Sequence, residues 1–588
     1  MGGPWCALLV ALALGALQKG TRDVSLRLQR VQTIEPEFEL AGHELFDLAG
    51  DGQSALLVVA RDGRVRTFAM AERRAAGDGA AREGPPALLG SALGALTLAE
   101  PTHSLLGLAR LVPGERSAQL LVASPSGVSA YPAGPDGAIA TESWALAPRA
   151  RMRLRLGQPT FAPFVRDVNA DERPDLVLPG AEECELWLNE GLPAEAEGGE
   201  RRLPRFRRTA EIASRITRWG SHDAQQLSNV LESSFAIPNL ATRDVNGDSR
   251  PDLFVVEEAS RSFHLQREDG SFPRVADVRV DLSIFKDTTE AATIQPGQTL
   301  AIEDGATFDT RDLDGDGIPD YVIAHRRKVW VFHASRAGPQ FKEPTTILKT
   351  ADDVTALAVV ALDDDRFPDL LLVKVQVPTI ATILRGLVGE WDVHVGAAGY
   401  RNSGGRSFET APAWKSDLVV RLPSILSVLK DPGRFLERFE ELEQRFRPAA
   451  FGDLDGDGAQ DVLLVSEDAA KLELWLGSRE AHGVGRAGGM DRSDAERLLR
   501  ELLFEDPERV WDLDRILMAL GGLAERRVAL HTGGRASDAA LELRPQGELS
   551  LASLETADLD GDARAEVVLG YASGPGRSRA AFDVVQLR

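Results

Sequence analysis

Cysteine is almost missing from this chain: of 588 residues, only Cys6 and Cys184 carry a thiol. Cys6 falls in an N-terminal apolar segment, so the mature chain is expected to hold no internal disulfide. Aromatic residues are scarce at 6%, which counts mildly against a carbohydrate-processing site built on stacked rings. Basic charge is outweighed, with a net charge of -23 and a pI near 5.0. The arginine groups at Arg201–Arg202 and Arg205–Arg208 lie in no generally basic region. A surface that tracks phosphates needs one, so nucleic acid is excluded as a partner. Beyond the N-terminus no apolar run approaches the length that crosses a bilayer, and no transmembrane span is expected. The nine histidines are scattered, and HExxH, GxSxG and N-x-S/T patterns are absent. Gly483–Gly488 fits GxGxxG by letter, but it sits in a glycine-rich link with no βαβ unit around it, so no dinucleotide site follows. No catalytic residue and no organic cofactor is assigned.

At the N-terminus, Ala7–Leu17 is an apolar run of the length of a signal-peptide core. Residues 1–20 are read as a signal peptide, although Lys and Arg are missing ahead of the run. Cys6 precedes the run instead of following it, so a lipoprotein cleavage site is not supported.

What the chain does have is an acidic motif that recurs. Asp312, Asp314, Asp316 and Asp320 occupy positions one, three, five and nine of a nine-residue stretch, and Asp453, Asp455, Asp457 and Asp461 repeat it. Asp558, Asp560, Asp562 and Glu566 form a near copy. Asp167, Asn169, Asp171 and Asp175, and likewise Asp244, Asn246, Asp248 and Asp252, carry Asn at the third position. A sixth copy keeps Asp363, Asp365 and Asp369 but begins with Ala361. At Asp47 and Asp51 only two acids remain, and a loop with no acid at these positions is read after Arg110. A run rich in β-branched and apolar residues follows each copy (DVLLVS, DYVIAH, DLVLPG, DLFVVE, DLLLVK), and a second alternating run follows that (KLELWLG, KVWVFHA, CELWLNE, FHLQRE). The unit is strand, acidic loop, strand, turn, strand, with a less regular fourth strand. Copies recur about every fifty to seventy-five residues, a period that suits propeller blades.

The pattern resembles the FG-GAP/VCBS repeat, the blade unit of integrin α-chain propellers and of many exported bacterial proteins; Phe451-Gly452 supplies the literal FG. The resemblance extends over nearly all of the chain after about residue 40. It implies an all-β fold, a β-propeller, and counting the degenerate copies gives eight (alternatively seven) four-stranded blades. It also implies calcium as the cofactor, held by the acids and Asn residues named above. The chemistry agrees: Ca²⁺ takes six to eight oxygens at ~2.3–2.6 Å in flexible geometry, and glycines at positions four and six permit the left-handed turns of a tight curl. The Asp312, Asp453 and Asp558 loops are expected to bind most strongly and the two Asn-bearing loops next. The Ala361 loop is expected to bind weakly unless Asp364 compensates, and the Asp47 loop not at all.

Residues 21–588 are thus read as the propeller, closed by pairing Leu26–Val31 with Phe582–Leu587. Two spacings are long. The segment 377–448 is read as an insertion containing helices. The segment 478–548 is read as a helical insertion, with Ser493–Glu496 as a capping box and a second helix from Asp506-Pro507 through Val510, Trp511 and Leu520. The expected function is that of an exported, non-enzymatic calcium-binding propeller, secreted, periplasmic or at the cell surface, monomeric, with a protein or glycan ligand. The alternatives are a propeller-based polysaccharide lyase or hydrolase, and a subunit of a cell-surface assembly.

Overall fold

The computed structural model describes residues 26–588 apart from 71–87, 153, 181–182, 194–202, 214, 223–228, 237–238, 257–259, 286–305, 364, 376–384, 431–447, 478–495, 497–499, 506–509, 513–514, 516–527, 529–531, 533–534, 546, 548 and 574–578. The segment read as a signal peptide, Ser493, Asp364 and the GxGxxG stretch fall outside these.

The chain is all-β and is organised as small sheets that recur with the motif. Most strands are short and most present Val, Leu, Ile or Phe to a neighbouring sheet, so a sheet cannot bury itself; it must stack on the next. The Asp453 sheet shows the unit. Ala449–Gly452 leads into the acidic loop, Asp461–Val465 follows it, and Lys471–Trp475 and then Ala539–Glu542 complete four antiparallel strands. Asn239–Arg243, Asp252–Val256, Ser260–His264 and Val278–Asp281 repeat this order round the Asp244 loop. In the Asp312 sheet the two runs read separately from sequence form one strand of 13 residues, Asp320–Phe332, with Arg326 in the left-handed region at φ 51°. One further pair, Arg215–His222 with Asn229–Ala236, forms a hairpin that carries no acidic loop.

Successive sheets meet face to face through apolar clusters. Leu120 and Val122 of the Arg110 sheet pack on Leu57 and Val59 of the Asp47 sheet. Leu253 and Val255 of the Asp244 sheet pack on Leu186 and Leu188 of the Asp167 sheet. Phe254, Phe263, Tyr321 and Phe332 build an aromatic core between the Asp244 and Asp312 sheets. The expected terminal pairing is present: Leu28–Ile34 runs antiparallel to Ala580–Leu587, Leu28 opposite Leu587 and Ile34 opposite Phe582. Both strands join Glu566–Ala572 and Ser550–Ala557 in one sheet. Asp583, fully buried there, holds Arg544 at 2.6 Å and Arg30 at 2.8 Å and accepts the Thr33 hydroxyl at 2.7 Å. The last strand is therefore tied to the first strand and to the neighbouring sheet by one carboxylate.

The long spacings differ in detail from the sequence reading. Within 377–448, Trp391–Tyr400 and Trp414–Leu422 are the third and fourth strands of the Asp363 sheet, and the described helix there is the short Ile425–Lys430. Within 478–548, Glu501–Glu505 is helical, but Val510–Asp512 is a strand running parallel to Trp414–Leu422. Val510 and Trp511 have the β-branched and aromatic character of a strand, and an open sheet edge beside them supplies the hydrogen bonds that decide the matter. Glu496 is buried against other sheets, with Arg311 at 2.5 Å and the Ala361 N–H at 3.1 Å.

Candidate metal loops

Every acidic loop joins the first strand of a sheet to the second, and the ninth residue is the first residue of that second strand: Asp175, Asp252, Asp320, Asp369, Asp461 and Glu566. Position two is a buried aliphatic in all eight loops: Leu48, Leu111, Val168, Val245, Leu313, Leu362, Leu454 and Leu559. That side chain pins the loop to the core. The left-handed positions fall where the curl needs them. Gly315 and Gly317 have φ of 79° and 86°, and where Gly is replaced, Ala170, Glu172, Ser249 and Ala563 still adopt φ of 58° to 66°. Such angles are costly for non-Gly residues, so the rest of the loop must enforce them.

The enforcement is a repeated hydrogen-bond pattern. The first Asp accepts N–H groups from positions four and six: Asp453 takes Gly456 and Gly458, both at 2.7 Å. Position three accepts from five, and five from seven, as in Asp455 to Asp457 at 3.1 Å and Asp457 to Ala459 at 2.7 Å. The ninth carboxylate acts differently. One of its oxygens accepts the N–H of position two and the other an N–H at or beyond the end of the third strand: Asp461 holds Leu454 at 2.7 Å and Gly477 at 2.8 Å. Asp175, Asp252, Asp320 and Asp369 make the same pair of bonds, to Val168 and Asn189, Val245 and Gln266, Leu313 and Ala334, and Leu362 and Asn402. Glu566 keeps the inner bond to Leu559 and takes the Gln586 side chain on its other oxygen.

These staples are nearly solvent-free, at 0–3% exposure. Burial, opposed by the two N–H donors, pushes the carboxyl of Asp175 and of Glu566 up to about 7 and those of Asp320, Asp369 and Asp461 up to about 6. Asp252 is raised for the same reason. The sequence reading assigned the ninth residue as a metal ligand and did not foresee this backbone role.

The loops divide by what faces their carboxylates. In the three loops with acids at one, three and five, carboxylate oxygens of three residues lie within 4.8 Å of one another. The groups are Asp312/Asp314/Asp316, Asp453/Asp455/Asp461 and Asp558/Asp560/Glu566. Two oxygens bound to one Ca²⁺ at ~2.4 Å can be at most ~4.8 Å apart, so the donor sets fit the ion, and each stapled oxygen retains a second lone pair. Asp320, Asp457 and Asp562 lie outside these groups. In the Asn-bearing loops, the amides of Asn169 and Asn246 donate to Asp171 and Asp248 at 3.2 and 3.1 Å, and the Arg250 guanidinium lies 2.6 Å from Asp248. In the two reduced loops a guanidinium arrives from elsewhere: Arg110 reaches Asp47 at 2.8 Å and Arg401 reaches Asp363 at 2.9 Å.

Six of the eight loops accept a hydrogen bond from the next sheet, which draws them to the same end of the array. The carbonyls of Asp558, Leu48 and Asp453 take the N–H groups of Ser54, Ala118 and Ala565 at 2.6, 2.8 and 2.7 Å. Those of Leu111, Asn169 and Leu313 take the side-chain amides of Asn189, Gln266 and Asn402 at 2.9, 2.7 and 3.1 Å. These three amide residues were missed from sequence. Their signal is an amide side chain just past the third strand, in CELWLN, FHLQ and GYRN.

A family model for the FG-GAP-like repeat matches residues 312–372. The chain contains an FG-GAP-like repeat. That repeat takes in the whole Asp312 loop and runs on through the Asp363 loop into the strand Asp369–Val375. No curated protein sequence matches the chain. Among solved structures, similarity is found to an Agrocybe aegerita lectin described as recognising non-reducing terminal N-acetylglucosamine, at 13% identity over 67% of this chain and 82% of that one, with a TM-score of 0.25. The BBS1N part of a complex with ARL6DN is 9% identical over 95% of this chain and 97% of that one, at TM-score 0.23. The Vibrio cholerae (V. cholerae) biofilm matrix protein Bap1 is 11% identical over 83% and 67%, at TM-score 0.21. Scores this low carry no argument about this chain. No helix among the described residues is long and apolar enough to cross a membrane.

Proposed function

We propose that this FG-GAP repeat chain is an eight-bladed, exported β-propeller, stiffened by calcium, that serves as a non-enzymatic binding scaffold for a protein or glycan. The contrast among its loops carries the reading. Arg110 and Arg401 place a cation against the reduced loops, and Asn amides soften the charge in two others. The three fully acidic loops converge oxygens at the spacing a divalent ion takes. Apolar clusters join the loop-bearing sheets in order from the Asp453 sheet through the Asp558 and Asp47 sheets and on to the Asp363 sheet, and the terminal strands share one sheet, which supports a closed ring. Asp312, Asp314 and Asp316 would hold one ion, Asp453, Asp455 and Asp461 a second, and Asp558, Asp560 and Glu566 a third. The Asn-bearing loops follow in affinity. An ion there supplies positive charge to crowded carboxylates and thereby fixes the loop that links two strands and the next sheet.

Elemental analysis of the protein equilibrated with millimolar calcium tests the metal. About three ions per chain are expected, falling by one in Asp455→Ala; a metal-free protein overturns it. A calcium-dependent screen against glycans and cell-surface extracts tests the scaffold role, and turnover of a polysaccharide by the purified chain would replace it with the enzyme reading.

A further inference from the structure

A cleft of about 450 Å³ opens between the Asp312 and Asp363 sheets, away from the acidic loops. The chain has only nine lysines, and three of them, Lys349, Lys374 and Lys415, line it. They come from three different strands: Thr346–Val354 of one sheet, and Asp369–Val375 and Trp414–Leu422 of the other. His394, Asp417 and Thr350 add polar groups to the wall. In a protein of net charge -23, a concave site bounded by three ammonium groups is a local reversal of sign, and concavity concentrates its field on an entering anion.

The register explains why space exists there. Lys374 lies opposite Gly396, which lies opposite Asp417; the next row on the same face is Leu372, Ala398 and Lys415. The floor of the cleft is thus the smallest pair of residues on that face of the central strand, with charged side chains on both flanking strands. Gly399, on the other face, is required by packing, since a Cβ would come within 2.6 Å of Leu362 and 2.8 Å of Trp414. Gly396 has no such reason: a Cβ would meet only Asp417 at 3.5 Å and Lys374 at 4.0 Å. A strand-interior glycine weakens a sheet and is found at bulges, at tight bends and where a ligand or another backbone comes close; the register is unbroken at Gly396, so no bulge explains it.

The geometry points to this cleft as a binding site for a small anionic sugar, a polyol bearing one carboxylate or phosphate, held by Lys349, Lys374 and Lys415 over the Gly396–Ala398 floor. Lysines act as adaptable point charges on flexible stems and suit either oxyanion. Asp417, His394 and Thr350 accept or donate to hydroxyls, and the alkyl faces of Leu372 and Ala398 meet ring C–H groups. The volume falls within the range of small-molecule pockets. The site shares no residue with the acidic loops and stands or falls independently of calcium.

Isothermal titration of the calcium-equilibrated full chain with glucuronate, glucose 6-phosphate, glucose and inorganic phosphate tests it. At least one anionic sugar is expected to bind with a Kd of about 1 mM or tighter, glucose and phosphate each at least about tenfold weaker. The two anionic arms distinguish a uronate from a sugar phosphate. The double variant Lys349→Gln/Lys415→Gln changes two exposed side chains and is expected to fold normally and weaken binding at least about tenfold. Gly396→Leu fills the floor and is expected to abolish it. Binding of neither anionic sugar, equal binding of glucose or of phosphate alone, or unchanged affinity in the double variant would each overturn the assignment.

Discussion

The buried ninth carboxylate can be isolated from any metal at Asp369. Its loop begins with Ala361, and Arg401 occupies Asp363. In Asp369→Ala the N–H groups of Leu362 and Asn402, held at 3.0 and 2.9 Å, lose their acceptor inside the protein. Each buried unsatisfied donor costs about 1–3 kcal/mol, so the variant should lose about 2–6 kcal/mol. The loss depends on pH. Burial raises the carboxyl from 3.8 to about 6, so its contribution is complete below the unfolded value and is lost as pH rises through the folded one. Between pH 8 and pH 5 the native protein gains about 1.4 kcal/mol from this group, and the alanine variant does not. The penalty should therefore be greater at pH 5, by about tenfold in the local opening constant. Hydrogen exchange at the amides of Leu362 and Asn402, corrected for intrinsic rates, reads it directly. Protection that falls less than about tenfold, or a penalty greater at pH 8 than at pH 5, would refute the staple.

Four further outcomes follow from the same structure. Asp583→Ala strips Arg544, Arg30 and Thr33 of their shared partner and should cost about 3–5 kcal/mol, seen as a lower urea midpoint and early protease cleavage near residues 28–34. The two guanidinium partners and the Thr33 hydroxyl hold the Asp583 carboxyl below the usual range despite its burial, so this clasp acts above the unfolded pKa and weakens as pH falls through the lower folded one; unchanged terminal-strand exchange in acid would contradict it. Chelation should lower the melting temperature by several degrees, most above pH 7, where the stapled acids that burial raises are ionised and a cation offsets their charge. Asn402→Ala removes the amide that spans from the Asp363 sheet to the Leu313 carbonyl and should cost about 1–3 kcal/mol, with faster exchange confined to those two sheets.

The strands flanking most acidic loops, the loop between first and second strand, the glycines at left-handed positions and the terminal pairing were legible in the linear chain. A period-two apolar pattern, acids at fixed spacing and glycines at four and six are local signals, and local geometry obeys them. Ala170, Glu172, Ser249 and Ala563 show the strength of that pattern, since each adopts the turn without glycine. Errors arose where a segment had two satisfactory homes. Val510 and Trp511 fit a helical stripe, yet a neighbouring edge captured them as a strand.

By itself, then, the sequence determined the repeating unit and the residue types gathered in each loop, because those depend on contacts within about twenty positions. Tertiary structure alone decided that the ninth acid is a buried staple, that Arg110 and Arg401 stand against the reduced loops, and that three lysines share one cleft. The staple's burial depends on the packing around it, and Arg110, Arg401 and the three lysines come from strands and loops outside the repeat motif's own spacing; distance along the chain says nothing about which of them folding will bring face to face.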